Sequence, residues 1–172
     1  VAAAGFINKV PGIVKEYGNE FTVATVGTIK VTPHSVNVIP GTCTFSLEIR
    51  DQSAEVMKLI ENHLRQLLED ICKKYGVTST FVPTSYHDPA PMSELVRGTI
   101  EEAVKELGID YTVIPSGAFH DSLIMTSVFP TGMIFVPSKD GISHSRYEYT
   151  APEDIENGCN VLLNTVLKLD EK

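Results

Sequence analysis

The chain has 172 residues, with 22 acidic against 14 basic side chains and a formal net charge of −8. That balance excludes the basic footprint needed for sequence-blind binding to nucleic acid or anionic membranes. At 42% hydrophobic and 21% charged residues, the composition is globular and excludes disordered, collagenous and low-complexity classes.

No run approaches the roughly 18 apolar residues of a membrane span. Val1 to Phe6 is apolar but lacks the basic stretch of a signal peptide. A cytoplasmic protein without nucleic-acid or membrane partners is therefore expected. The three cysteines, Cys43, Cys72 and Cys159, form no CxxC pair and read as free thiols. The absence of an initiator Met fits a processed chain or a piece of a longer one.

Residues 1–17 carry a helical pattern interrupted by Pro11 and Gly12. Phe21 to Thr32 is rich in β-branched residues and predicts a strand, with Gly27 marking a bulge. Pro33 to Gly41 is a loop. In Thr42 to Arg50, Phe45, Leu47 and Ile49 alternate with polar residues, as on a half-buried antiparallel strand. Ser53 to Tyr75 repeats apolar residues at three- and four-residue spacing and stops at Gly76, which predicts a long helix. His63 in that helix reads as structural or exposed. Val77 to Tyr86 predicts a further strand. Helix, strand, strand, helix, strand is a ferredoxin-like split βαβ sandwich (βαββαβ type) with its first strand missing.

The prolines at 89 and 91 mark a boundary, dividing the chain into 1–88 and 89–172. A helix is expected over 92–107, with Met92, Leu95, Val96, Ala103 and Leu107 on its buried face. A short strand follows at Tyr111 to Pro115, then a loop and a short helix to about Val128. Gly132 to Val136 reads as a buried parallel strand. Thr150, Pro152 and Glu153 form a capping box for a last helix, with Ile155, Cys159, Leu162, Val166 and Leu169 as its buried face. Alternating helix and strand make this half an α/β layer. Neither half has enough strands to be complete, so the chain reads as part of one domain followed by the tail of another.

Two groups of residues are placed for chemistry. His120 and His144 lie in loops flanking the apolar strands of the second half, where ligands of such sheets gather. Gly141-Ile142-Ser143-His144 puts an imidazole at a tight turn, with Glu148 four residues on. A neutral imidazole there suits a metal, its other nitrogen held by a neighbouring acceptor. The commoner role of such a residue is a turn histidine bonding its own loop. Ser116-Gly117-Ala118 is a glycine-containing loop ahead of a short helix, a weak signal for anion binding. The second group is Asn37, in the loop, and Arg50, ending the alternating strand. Pairing of the flanking strands would bring loop and strand end to one surface, where the arginine fork suits a carboxylate. A turn asparagine and a surface ion pair of Arg50 with Glu48 or Asp51 explain the same residues without function.

The blocks Ala24-Thr25-Val26-Gly27, Asn37-Val38-Ile39-Pro40-Gly41 and Phe45 to Asp51 resemble the lid (dimerisation) domain of the di-zinc aminoacylase/carboxypeptidase superfamily. Ser116 to Asp121, Met133 to Ser138, and Gly141-Ile142-Ser143-His144 with Glu148 narrow the resemblance. They are similar to the branch of N-carbamoyl-L-amino-acid hydrolases, allantoate amidohydrolases and β-ureidopropionases.

The resemblance implies a lid followed by the C-terminal part of an α/β zinc-hydrolase domain. It implies two zinc ions, with manganese as an alternative, and a metal-activated water that attacks a carbamoyl, ureido or related linear amide C–N bond. His144 would be the metal ligand. Asn37 and Arg50 would hold the polar end of a small carbamoyl amino acid or allantoate-like substrate, and Gly117 and His120 would line its site. Homodimers are implied as well. Glu48 departs mildly from the Asp that relatives often carry. The family's other metal ligands and its general base have no counterpart here, so the chain alone would be inactive. Two other readings stay open: a non-catalytic dimerisation or binding module, and an aminoacylase or dipeptidase of the same superfamily.

Overall fold

The computed structural model of the chain describes residues 1–171. The chain divides into two compact units, Val1–Pro89 and Ala90–Lys172. Small two-stranded sheets and helices make it a mixed α/β protein. Among the described residues, no helix is long and apolar enough to cross a membrane.

The first unit opens with α1 (Ala2–Ile7) and α2 (Val10–Tyr17); the break falls at residues 8–9, and Pro11 and Gly12, expected to interrupt the helix, lie in the first turn of α2. The two expected strands each break in two: β1 (Val23–Thr25) and β2 (Ile29–Thr32), then β3 (Thr42–Phe45) and β4 (Glu48–Arg50). β1 pairs antiparallel with β4, and β2 with β3. Thr25 faces Glu48 while Ile29 faces Phe45, so residues 26–28 stand opposite residues 46–47. One extra residue on one strand is a bulge, and it falls around Gly27 as expected. Ser46 Oγ bridges it, accepting the Thr28 N–H at 3.0 Å.

α3 (Ala54–Tyr75) has the boundaries its caps require. Ser53 Oγ accepts the Val56 N–H, and Gly76 turns left-handed at φ 64°, a conformation glycine adopts without a Cβ penalty. Ile60 and Leu64, both fully buried, meet Phe6, Val10 and Ile71 in the core. Phe45, Leu47 and Ile49 of the ribbon pack on them, the alternation read from the sequence. His63 stacks on Tyr17 with ring centroids 3.6 Å apart, the structural one of the two roles expected of it.

The expected strand at Val77 to Tyr86 does not form among the described residues. The segment pairs with no neighbour, and a strand exists only as part of a ladder. Phe81 lies instead under the Arg65 guanidinium, 3.6 Å from ring centroid to carbon.

The second unit is built on α4 (Glu94–Glu106) and α6 (Pro152–Asp170), which pack together. α5 (Asp121–Met125) is a single turn and a half. Tyr111 to Pro115 and Gly132 to Val136 form no ladder, so the parallel strands expected there are absent among the described residues. Residues 111–115 are exposed, with Ile114 at 59%, while Met133 and Ile134 are half-buried and Phe135 is exposed at 49%. The capping box is also corrected. Ala151, extended at ψ 144°, is the N-cap, and Pro152 starts the helix with no side-chain cap.

Of the face expected for α4, Ala103 is buried, while Leu95 and Leu107 are exposed; the face expected for α6 is not the buried one. α4 buries Thr99, Ala103 and Val104, and α6 buries Val161 and Thr165. Both buried threonines satisfy their hydroxyls within the helix, donating to the carbonyls of Leu95 and Val161. The expected stripe of Ile155, Cys159, Leu162, Val166 and Leu169 instead lines an open apolar groove of about 430 Å³. Ile134 and Val136 form part of its opposite wall.

Candidate functional site

Asn37 lies at the exposed tip of the β2–β3 loop, where Ser35 donates its hydroxyl to Asn37 Oδ1 at 2.7 Å. Arg50 ends β4 and pairs in register with Val23. Its Nη2 lies 2.8 Å from Glu48 Oε1, an ion pair between exposed side chains. The loop begins beyond the Thr32 and Thr42 pair that ends the β2–β3 ladder.

In the second unit, His120 is the N-cap residue of α5. Its Nε2 lies 2.9 Å from Ser116 Oγ, and its ring meets the Phe135 ring edge-on at 5.6 Å. Ser116 Oγ also accepts the Ala118 N–H at 3.3 Å. Ser116 thus closes the loop that contains the exposed Gly117. The sequence signal for this pairing was a serine four residues before the histidine, which by itself has no directional meaning in a loop.

His144 is exposed and left-handed, with φ 55°. Ser143 Oγ lies 3.1 Å from its Nδ1, and Glu148 Oε2 accepts its backbone N–H at 2.8 Å. The ring's partner is thus a neighbouring hydroxyl, with donor and acceptor set by the tautomer, while Glu148 bonds the backbone. Nε2 has no partner among the described residues, as a metal-ligating nitrogen requires. No hydrogen bond joins His120 to His144. Among the described residues, no three His, Cys, Asp or Glu side chains come together to hold a metal ion. His144 fits one position of a metal centre, and one ligand does not hold an ion.

The sequence profile of Peptidase family M20/M25/M40 matches residues 7–168. The chain belongs to that family. Within this peptidase family it is 40% identical over 168 residues to an N-carbamoyl-L-amino acid amidohydrolase of Geobacillus stearothermophilus, covering 98% of this chain and 41% of the relative. It is 34% identical over 145 residues to an allantoate amidohydrolase of Bacillus subtilis, covering 84% of this chain and 35% of that protein. These relatives bear the branch names that the sequence motifs imply. A crystal structure of AtUAH in complex with (S)-hydroxyglycine superposes with a TM-score of 0.91 at 34% identity, covering 99% of this chain and 41% of that one. The chain thus spans about two-fifths of the length of the M20/M25/M40 proteins it matches.

Proposed function

We propose that the chain is part of a metal-dependent amidohydrolase that cleaves a carbamoyl or ureido C–N bond of a small carboxylate-bearing substrate. The observation that carries this reading is the 40% identity, across 98% of the chain, with an N-carbamoyl-L-amino acid amidohydrolase. In this reading Val1–Pro89 is a lid (dimerisation) domain of ferredoxin-like type, and the remaining residues belong to the catalytic domain. The unpaired segments 77–86, 111–115 and 132–136 support it, since each has strand composition and no ladder partner in the chain. Homodimers, a cytoplasmic location and a lack of activity in this chain alone belong to the same proposal.

Each residue has a role its chemistry supports. Arg50 offers a planar fork for the substrate carboxylate; it already meets the Glu48 carboxylate through one nitrogen, Nη2 at 2.8 Å from Oε1. Asn37 offers an amide that both donates and accepts. Gly117 lets substrate approach the loop backbone closely. His120, oriented by Ser116, presents Nδ1 towards the polar part of the substrate. His144 holds metal through Nε2. A pair of zinc or manganese ions would supply Lewis acidity and a more acidic water.

In this proposal the homodimer shares its sites, one copy supplying Asn37 and the other Arg50.

The test is hydrolysis of an N-carbamoyl amino acid by the whole protein before and after chelation. Activity lost with chelator and regained with zinc or manganese supports the reading. Unchanged kcat/KM in chelator contradicts it. Arg50→Ala should lower kcat/KM for the carboxylate-bearing substrate by roughly 10- to 100-fold, the cost of losing a charged hydrogen bond.

A further inference from the structure

His144 holds a backbone conformation that residues other than glycine enter only when their surroundings impose it. Its φ of 55° follows Asp140 at 57° and Gly141 at 66°, so the chain turns left-handed three times in five residues. Glycine would relieve the strain at 144 but would remove the imidazole. Contacts must therefore hold the turn.

Glu148 supplies the contact made directly to the strained residue. Its Oε2 accepts the His144 N–H at 2.8 Å. The turn between them is closed on itself: the Glu148 N–H donates to the Ser145 carbonyl at 3.0 Å, and the Tyr147 N–H to Ser145 Oγ at 3.3 Å. The carboxylate bonds the backbone rather than the ring. It fixes where the imidazole points without occupying either ring nitrogen. Ser143 Oγ takes Nδ1, which leaves Nε2 outward.

We propose that Glu148 is a positioning residue, locking the left-handed turn at His144 so that the imidazole presents Nε2 to a metal ion. The proposal rests on the reading of His144 as a metal ligand. It assigns Glu148 a hydrogen-bonding role, not a ligand's role and not a proton-transfer role. The requirement is an acceptor oxygen at this reach, so glutamine should serve almost as well and alanine should not.

The test compares Glu148→Gln, Glu148→Ala and His144→Ala in the whole protein. The readouts are hydrogen exchange at the His144 amide, zinc affinity by competition with a chelator, and melting temperature. In Glu148→Ala, exchange at the His144 amide should accelerate by about tenfold or more. Zinc should bind about 10- to 100-fold more weakly, as for other groups that orient a ligand. The melting temperature should hold, and Glu148→Gln should restore both other readouts. Unchanged zinc affinity in Glu148→Ala, with zinc lost in His144→Ala, overturns the proposal and leaves the ligand reading standing. Glutamine no better than alanine also overturns it, since charge rather than the hydrogen bond would then matter. Full zinc binding in His144→Ala overturns the ligand reading, and the proposal with it.

Discussion

Arg50 pairs with Val23 in the β1–β4 ladder, while Asn37 lies in the loop beyond the Thr32 and Thr42 pair that ends the β2–β3 ladder. A shared site between copies turns this separation into a complementation experiment. Asn37→Ala and Arg50→Ala should each abolish most activity of the whole protein. In a mixed dimer, one site would receive both intact residues and the other neither. Mixing the two variants should then restore about a quarter of native activity if subunits exchange at random in a two-fold dimer. No recovery on mixing contradicts the shared site.

Gly158 sits in the middle of α6, where alanine ordinarily stabilises a helix by about 1 kcal/mol. Here a Cβ would lie 2.5 Å from Val136 Cγ1. The overlap should outweigh the propensity gain, so Gly158→Ala should destabilise by about 1–3 kcal/mol, as overpacked sites do. Val136→Ala in the same chain should return much of that loss. Denaturant melts of the single and double variants measure it, and a Gly158→Ala variant at least as stable as the parent contradicts this packing.

Leu64 is fully buried in the core beneath the ribbon. Leu64→Ala should cost about 2–5 kcal/mol, the range for a large buried side chain whose cavity only partly closes. Ser53→Ala, which removes the N-cap of the same helix, should cost only about 1 kcal/mol. Urea melts order the two, and a larger loss from Ser53→Ala would contradict the core assignment.

The Tyr111 hydroxyl donates to Glu101 Oε1 at 2.5 Å, and Lys105 Nζ lies 3.6 Å from the same oxygen. The tyrosine bond first, and the lysine charge second, hold the Glu101 carboxyl below its ordinary 4.5. A carboxyl depressed in the folded state adds stability above its unfolded pKa and loses it as pH falls through the folded value. The anchor of Tyr111 on α4 should therefore weaken in acid, below pH 4.5. In Tyr111→Phe, the Glu101 midpoint followed by carboxyl NMR shifts should move up. An unmoved midpoint contradicts the contact.

The helices were legible because their signals are local. Ser53, the three- and four-residue spacing and Gly76 lie within α3 itself or at its ends, and the structure keeps each of them. The hairpin was legible for the same reason, down to the bulge at Gly27. The segments 77–86, 111–115 and 132–136 misled because a strand is a relation between segments. Their composition suits a ladder, and composition does not say whether a partner is present. The last helix misled twice. Thr150 matched a capping pattern, but the chain stays extended through Ala151 until Pro152 sets the first turn. Its widest apolar stripe faces an open groove, while the smaller Val161 and Thr165 are buried. At the site, His144 stood out by motif. Glu148 stood out beside it, but that its carboxylate bonds the His144 backbone instead of the ring did not show in the sequence.

The central claim, hydrolysis of a carbamoyl or ureido C–N bond, is tested most directly by ammonia release from the whole protein loaded with zinc or manganese. N-carbamoyl amino acids, allantoate and ureidoglycolate would be compared with N-acetyl amino acids and dipeptides. The account predicts ammonia from one or more of the carbamoyl or ureido compounds, abolished in His144→Ala, with little cleavage of the acetyl and peptide substrates. Cleavage confined to the acetyl or peptide substrates, or no cleavage of any, would contradict it.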